Sequence, residues 1–213
     1  MTFLKKNRIG VLCFAVFLLL GGLRQGQAQT ETELASPSAQ EMYYIQNFVA
    51  GTEPAYRELA KRDPEYNRAN EFDREAVLNR LETNLRKGAE HLKSVRLLRV
   101  NVADSFGEYD PRYQEYDFTI SNGSSFSFNA YGKSVELVVT NGSMAQGWRL
   151  TPAQAEDVLR RNEGSRKVTL ILHLAIDDAA PALGNSAPKM NAHILDYEIR
   201  GKGGILLGRI EVK

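Results

Sequence analysis

Between Ser105 and Phe118 the chain reads SFGEYDPRYQEYDF, with the tripeptide Glu-Tyr-Asp occurring twice, seven residues apart. Glu108, Asp110, Glu115 and Asp117 bring four carboxylates into this span, and Tyr109, Tyr113 and Tyr116 three phenols. A retaining glycoside hydrolase needs two carboxyl groups about 5 Å apart, and residues i and i+2 of a strand come within reach of that separation. Glu115 and Asp117 have this spacing. An envelope-glycan hydrolase using Glu108, Asp110, Glu115 or Asp117 as acid and base is therefore one reading of the stretch. The other reading is a hairpin with a wet face. Pro111 fixes φ and removes a donor, so Asp110-Pro111-Arg112 is a turn or the mouth of a strand. Alternation beyond it turns Tyr116 and Phe118 inward and leaves Glu115 and Asp117 in water. On this second and preferred reading the loop is a recognition element. Tyr109, Asp110, Arg112, Tyr113 and Trp148 are its candidate binding residues, with Arg112 as the charged anchor. Trp148, the one tryptophan, stands between a turn and a capped helix, where it either meets a partner or plugs a helix–sheet junction.

The remaining chemistry is sparse. The only histidines are His91, His173 and His193. If the strands holding the last two pair as a hairpin about residue 183, the rings lie across from each other. They could then hold a metal together with Asp177 or Asp178. The register of a hairpin with so long a loop is free, and a one-residue slip separates the rings. Ordinary strand histidines are the alternative. The chain has no Gly-x-Ser-x-Gly elbow, no His-Glu-x-x-His, no phosphate-cradling Gly-x-x-x-x-Gly-Lys and no calcium loop. Gly201-Lys202-Gly203-Gly204 lies between two strands and is a turn rather than a nucleotide loop. No cofactor is implied.

These residues need elements to hold them. From Glu41 to Leu92 the apolar positions recur at helical spacing: Tyr44, Ile45, Phe48 and Val49 on a first helix ended by Gly51, then Phe72, Val77, Leu81 and Leu85 on a stronger one opened by Asn70. From residue 94 the period changes to 2. Strands are expected at Val95–Ala103, Tyr113–Ile120, around Phe126 and Phe128, and at Ser134–Thr140, Lys167–Ile176, Asn191–Arg200 and Gly204–Val212. Asn122-Gly123 and Asn141-Gly142 are read as turns, the second suiting type I′; both precede Ser and match the glycosylation sequon. One helix interrupts the strands over 152–162, where Thr151-Pro152-Ala153-Gln154 forms a capping box and Gly164 is the stop. The expectation is an α+β fold, with N-terminal helices packed on a largely antiparallel sheet of about seven strands and one inserted helix.

The start of the chain carries an address. Lys5, Lys6 and Arg8 precede an apolar run from Ile9 to Leu20, and Gly26-Gln27-Ala28 offers small residues for cleavage, so residues 1–28 are read as a signal peptide. The run is shorter than the roughly 20 residues of a membrane span, and no stable membrane insertion is expected after cleavage. Residues 29–40 are polar and read as a flexible lead-in to a single domain over 41–213. Cleavage would remove Cys13, the sole cysteine, leaving no disulfide and no thiol chemistry. It would also take the 27 basic residues to 23, against 26 acidic ones. With no basic run, nucleic acid is excluded as an expected partner.

Phe106-Gly107-Glu108-Tyr109-Asp110, then Tyr116-Asp117-Phe118, then Gly147-Trp148-Arg149-Leu150-Thr151-Pro152-Ala153-Gln154-Ala155 resemble an uncharacterised family of exported bacterial proteins. Its members share a Gly-x-Tyr-Asp-x segment entering a strand and a helix opening with Pro-x-x-Ala. The likeness covers about residues 90 to 175, and the Pro111-to-Tyr116 spacer departs from it. The resemblance implies export and an α+β fold, and brings no activity. The expected function is a non-enzymatic periplasmic binding module whose partner is an unknown protein or glycan of the cell envelope.

Overall fold

The computed structural model describes residues 32–181 and 187–212. The leader, Cys13 and the connection about residue 183 lie outside the described residues. The described part of the expected flexible lead-in, residues 32–40, includes a strand and the start of a helix. Glu33–Ala35 forms a strand, β1, and Pro37 is buried. Ser38 then caps helix α1, Ala39–Val49. Its Oγ accepts from the Glu41 amide at 3.2 Å while Glu41 Oε2 accepts from the Ser38 amide at 2.7 Å, a reciprocal pair that satisfies two orphan donors. Gly51, at φ +68°, ends the helix.

Helices α2 (Tyr56–Ala60), α3 (Pro64–Arg68) and α4 (Arg74–Ala89) follow. The apolar side of α4 runs through Leu78 and Ala89, with Leu81 and Leu85 partly covered. Phe72 does not join it. The residue sits in the turn before the helix, 88% exposed, because Asn70 caps that turn, its Oδ1 accepting from the amides of Phe72 and Asp73.

The strands are β2 (Leu97–Ser105), β3 (Glu115–Asp117), β4 (Ser125–Ala130), β5 (Lys133–Val139), β6 (Gly147–Arg149), β7 (Lys167–Ala180), β8 (Lys189–Arg200) and β9 (Leu206–Glu211), with helix α5 (Pro152–Arg161) before β7. Seven strands form one sheet in the order β1-β2-β7-β8-β5-β4, and β9 pairs with β8 beyond the stretch that β5 occupies. The fold is α+β as expected, but the sheet is mixed. β1 runs parallel to β2 and β5 parallel to β8, because the chain between β5 and β8 crosses over through β6, α5 and β7 before returning. β3 and β6 pair only with each other. Of the expected strand Tyr113–Ile120, only three residues hydrogen-bond as a strand, yet Tyr116, Phe118 and Ile120 are all buried.

One face of the sheet carries the core: Leu98 and Val100 from β2, Leu170, Leu172 and Leu174 from β7, Tyr197 and Ile199 from β8. α1 lies over β4, β5 and β7 on this face, with α2, α3 and α4 outside it. The β3/β6 pair and α5 cover the rest. Phe118 meets Tyr197 edge-on at 6.0 Å, and Trp148 lies against Gly208 of β9, where an added Cβ would come within 2.9 Å of the indole. Among the described residues no layer covers the opposite face, which carries Arg99, Asn101, Thr169, His173, Glu198 and Arg209.

The β7/β8 register departs from the expected one. His193 opposes Ala175, and His173 opposes Asp196, because the pairing starts with Ala180 opposite Lys189, three residues beyond the expected register; bulges at Asp177 in β7 and Leu195 in β8 then shift it by one residue and back. The bulge at Leu195 has a packing reason. Without it, the inward row Met190, Ala192, Ile194 would continue through Asp196 and Glu198; with it, Tyr197 and Ile199 stay in the core.

Candidate functional site

The doubled Glu-Tyr-Asp stretch is a hairpin. Phe106 is buried at the end of β2, and the chain then folds back, the Gly107 amide donating to the Asp117 carbonyl at 2.8 Å and the Asp110 amide to the Glu115 carbonyl at 2.9 Å. Pro111 to Gln114 form the tip. Asp110 braces it from inside: its Oδ1 accepts from the amides of Arg112 and Tyr113 at 2.7 and 3.2 Å. Leu150 braces it from the side, its amide donating to the Gln114 carbonyl and its carbonyl accepting from the Tyr109 hydroxyl at 2.7 Å. Beneath lies an aromatic cluster in which Phe106 and Tyr116 meet at 4.6 Å and Phe118 stacks on Trp148 at 6.1 Å. The Tyr116 hydroxyl donates to the Ala155 carbonyl of α5. Arg166 lies over the rings of Phe106 and Tyr116 and donates to the Gly107 carbonyl. Burial raises the Tyr116 phenol above its ordinary pKa, and the Arg166 charge partly offsets that.

The five candidate binding residues therefore divide. Trp148 is 4% exposed, and its ring fills the space over Gly208. Tyr109 is partly buried and tied by its hydroxyl, and Asp110 is consumed in the turn. Arg112 and Tyr113 remain. Tyr113 is 59% exposed, and the Arg112 guanidinium carbon stands 5.3 Å from its ring centroid.

The four carboxylates take separate positions. Glu108 and Asp117 are exposed, Asp110 serves the tip, and Glu115 faces Arg149 across the β3/β6 pair with their charged atoms 3.7 Å apart. Glu115 and Asp117 share the solvent side of β3 while Tyr116 is buried between them.

His173 and His193 occupy the uncovered sheet face without opposing each other, and each has its own carboxylate. Glu33 Oε1 lies 2.7 Å from His173 Nδ1, and Asp177 Oδ1 lies 2.5 Å from His193 Nδ1. Thr140 Oγ1 reaches the other oxygen of Asp177 at 3.3 Å, and Asp178 bonds Asn191. Among the described residues no group of three or more His, Cys, Asp or Glu side chains is placed to hold a metal ion. Glu33 was hidden from sequence reasoning because its segment reads as a polar linker. Asp177 is visible in the sequence, but the bulge that aims it is not.

The sequence also gives little sign of a tyrosine cluster. Tyr43, Tyr44, Tyr56 and Tyr131 gather α1, α2 and the β4–β5 turn, with ring centroids 5.5–6.2 Å apart in the pairs that touch. The Tyr44 and Tyr131 hydroxyls share a hydrogen bond at 3.1 Å. Burial and that bond raise the Tyr44 phenol far above its ordinary range. A groove of about 490 Å³ opens beside Tyr131, lined by Leu59, Arg62, Pro64 and Leu85, and another of about 520 Å³ lies between Phe48, Tyr56, Arg86 and Lys93.

No family model matches the chain, and no curated protein or solved structure is significantly similar to it. Among the described residues no helix is long and apolar enough to cross a membrane.

Proposed function

We propose that this chain is an exported, non-enzymatic interaction module of the periplasm, whose recognition element is the hairpin tip Pro111–Gln114 and whose partner is a protein or glycan of the cell envelope. One observation carries the reading: Tyr113 stands 59% exposed with Arg112 over its ring, on a tip fixed by Asp110 and Leu150. Tyrosine and arginine are the residues that most often anchor interfaces, and a tip held in place before binding loses less entropy on binding. Two of the carboxylates, Glu108 and Asp117, are exposed, and the other two are engaged separately, Asp110 in the tip and Glu115 with Arg149, which supports recognition over glycoside hydrolysis. Export rests on the leader pattern and on the resemblance to exported bacterial proteins.

The test is retention of the purified protein on two immobilised fractions, isolated envelope glycan and detergent-extracted envelope protein. Wild type is expected to be retained by one of them, and the Arg112→Ala/Tyr113→Ala double variant to be lost from it with an unchanged melting temperature. Equal retention of both proteins, or retention of neither, would reject the tip as the recognition element.

A further inference from the structure

We infer that two copies of this chain join through strand β4, antiparallel and centred on Ser127, so that their sheets run on as one. This goes beyond the proposed recognition at the hairpin tip and does not depend on it. β4 ends the sheet path, and its sequence is Ser-Phe-Ser-Phe-Asn-Ala, six residues with no charge, no proline and no bulge in its pairing to β5. Two other edges are protected, and the part of β2 that β1 does not cover, Val100–Ser105, carries a charge at Asp104. β1 is three residues long and carries Glu33 paired to His173. β9 carries Arg209 and Glu211, has an irregular register against Arg200, and has its Leu206 carbonyl occupied by Arg161. Natural sheets blunt exposed edges with charges, prolines, bulges and irregular pairing, and Ser125–Ala130 carries none of these.

The geometry names the occupant. Ala130 and Lys133 face each other across the two-residue turn at Tyr131-Gly132, and the Val139 amide donates to the Ser124 carbonyl. Positions 126, 128 and 130, together with the Ser124 carbonyl, thus direct their backbone groups toward β5, which turns the N–H and C=O of Ser125, Ser127 and Asn129 outward. In a two-fold pairing about Ser127, Ser127 meets Ser127 of the second copy and Ser125 meets Asn129. All six outward groups of each strand are then satisfied. The same register sets Phe126 opposite Phe128 of the second copy, twice, as close non-hydrogen-bonded pairs on the core side. Both rings are only partly buried in a single copy, and the pairing would cover them. No charge opposes another anywhere along the strand. An isologous contact of this kind closes at two copies.

Light scattering behind size exclusion, run over a range of micromolar concentrations, tests it. Wild type is expected at twice the chain mass. Ser127→Pro removes one outward N–H that β5 does not use, and is expected at the single-chain mass with unchanged circular dichroism; Ser127→Ala should remain dimeric. Because Ser127→Pro could disturb the strand itself, a charge pair provides the second arm. Ser125→Lys/Asn129→Lys places like charges opposite each other and should give a monomer, whereas Ser125→Lys/Asn129→Glu places opposite charges there and should restore the dimer. A monomeric wild type, or a dimer that survives both Ser127→Pro and Ser125→Lys/Asn129→Lys, overturns the inference. Strand exchange with an added β4 peptide but no wild-type dimer would overturn it as well, since the edge would then take a foreign strand rather than its own copy.

Discussion

Trp148 and Tyr113 are both large aromatics beside turns, and the fold uses them in opposite ways. The indole is sandwiched between Phe118 and the backbone of Gly208, while the phenol projects from a tip. Truncating Trp148 to Ala should cost about 3–5 kcal/mol in urea unfolding, through lost burial and the cavity left behind. Tyr113→Ala should change stability by no more than about 0.5 kcal/mol. Glycine shows the limit of residue-level reading. Asn141-Gly142 has the composition of a type I′ turn, but Gly142 opens a 3-10 turn and is required for a different reason: a Cβ there would lie 2.2 Å from the Ser121 carbonyl oxygen. The turn joining β4 to β5 has two left-handed residues, Tyr131-Gly132 at φ +54° and +70°, where no propensity would have placed a tyrosine. Tyr131 accepts that backbone because its ring packs on Tyr43 and its hydroxyl meets Tyr44. Gly142→Ala should therefore destabilise the chain strongly, since backbone rather than a yielding side chain stands in the way, and a melting temperature equal to wild type would refute the close approach.

At the scale of elements, burial was legible and pairing was not. The alternation Tyr116, Phe118, Ile120 correctly marked an inward row, but only Glu115–Asp117 finds a strand partner, because its neighbour β6 is itself three residues long. The capping box at Thr151 marks α5, whereas the equivalent box at Ser38 lies inside a polar stretch with the composition of a linker. Ser38→Ala should cost about 1 kcal/mol and Ser38→Asp little, as measured by denaturant midpoint. The separation of His173 from His193 also arises at this scale. The long loop leaves the start of the pairing, Ala180 opposite Lys189, unannounced in the sequence, and that start sets the rings apart, while the bulge at Leu195 keeps Tyr197 and Ile199 inside. The mixed sheet has a similar origin, since strand lengths and periods are visible in a sequence but the crossover that makes β5 parallel to β8 is not.

For the whole molecule, the two-layer arrangement puts four of the nine tyrosines where ionisation is opposed. Burial raises the phenols of Tyr44, Tyr56, Tyr116 and Tyr197, with nearby Arg86 and Arg166 pulling back at Tyr56 and Tyr116. In the unfolded chain these groups lose their protons near pH 10, while in the folded chain they keep them. The unfolded state therefore binds fewer protons above that point, so stability is full below about pH 10 and falls as pH rises through it. Ultraviolet titration should show Tyr44, Tyr56, Tyr116 and Tyr197 ionising only as the fold opens; their ionisation near pH 10 with the fold intact would contradict this. The same layering separates a packed scaffold from a small exposed tip, and that separation is the centre of the functional account. Its most direct test is to measure melting and envelope retention together for Tyr113→Ala and Trp148→Ala. The account predicts that Tyr113→Ala melts with wild type and loses retention, and that Trp148→Ala melts lower but keeps retention while folded. A Tyr113→Ala protein that binds as wild type, or that loses stability along with binding, would contradict it.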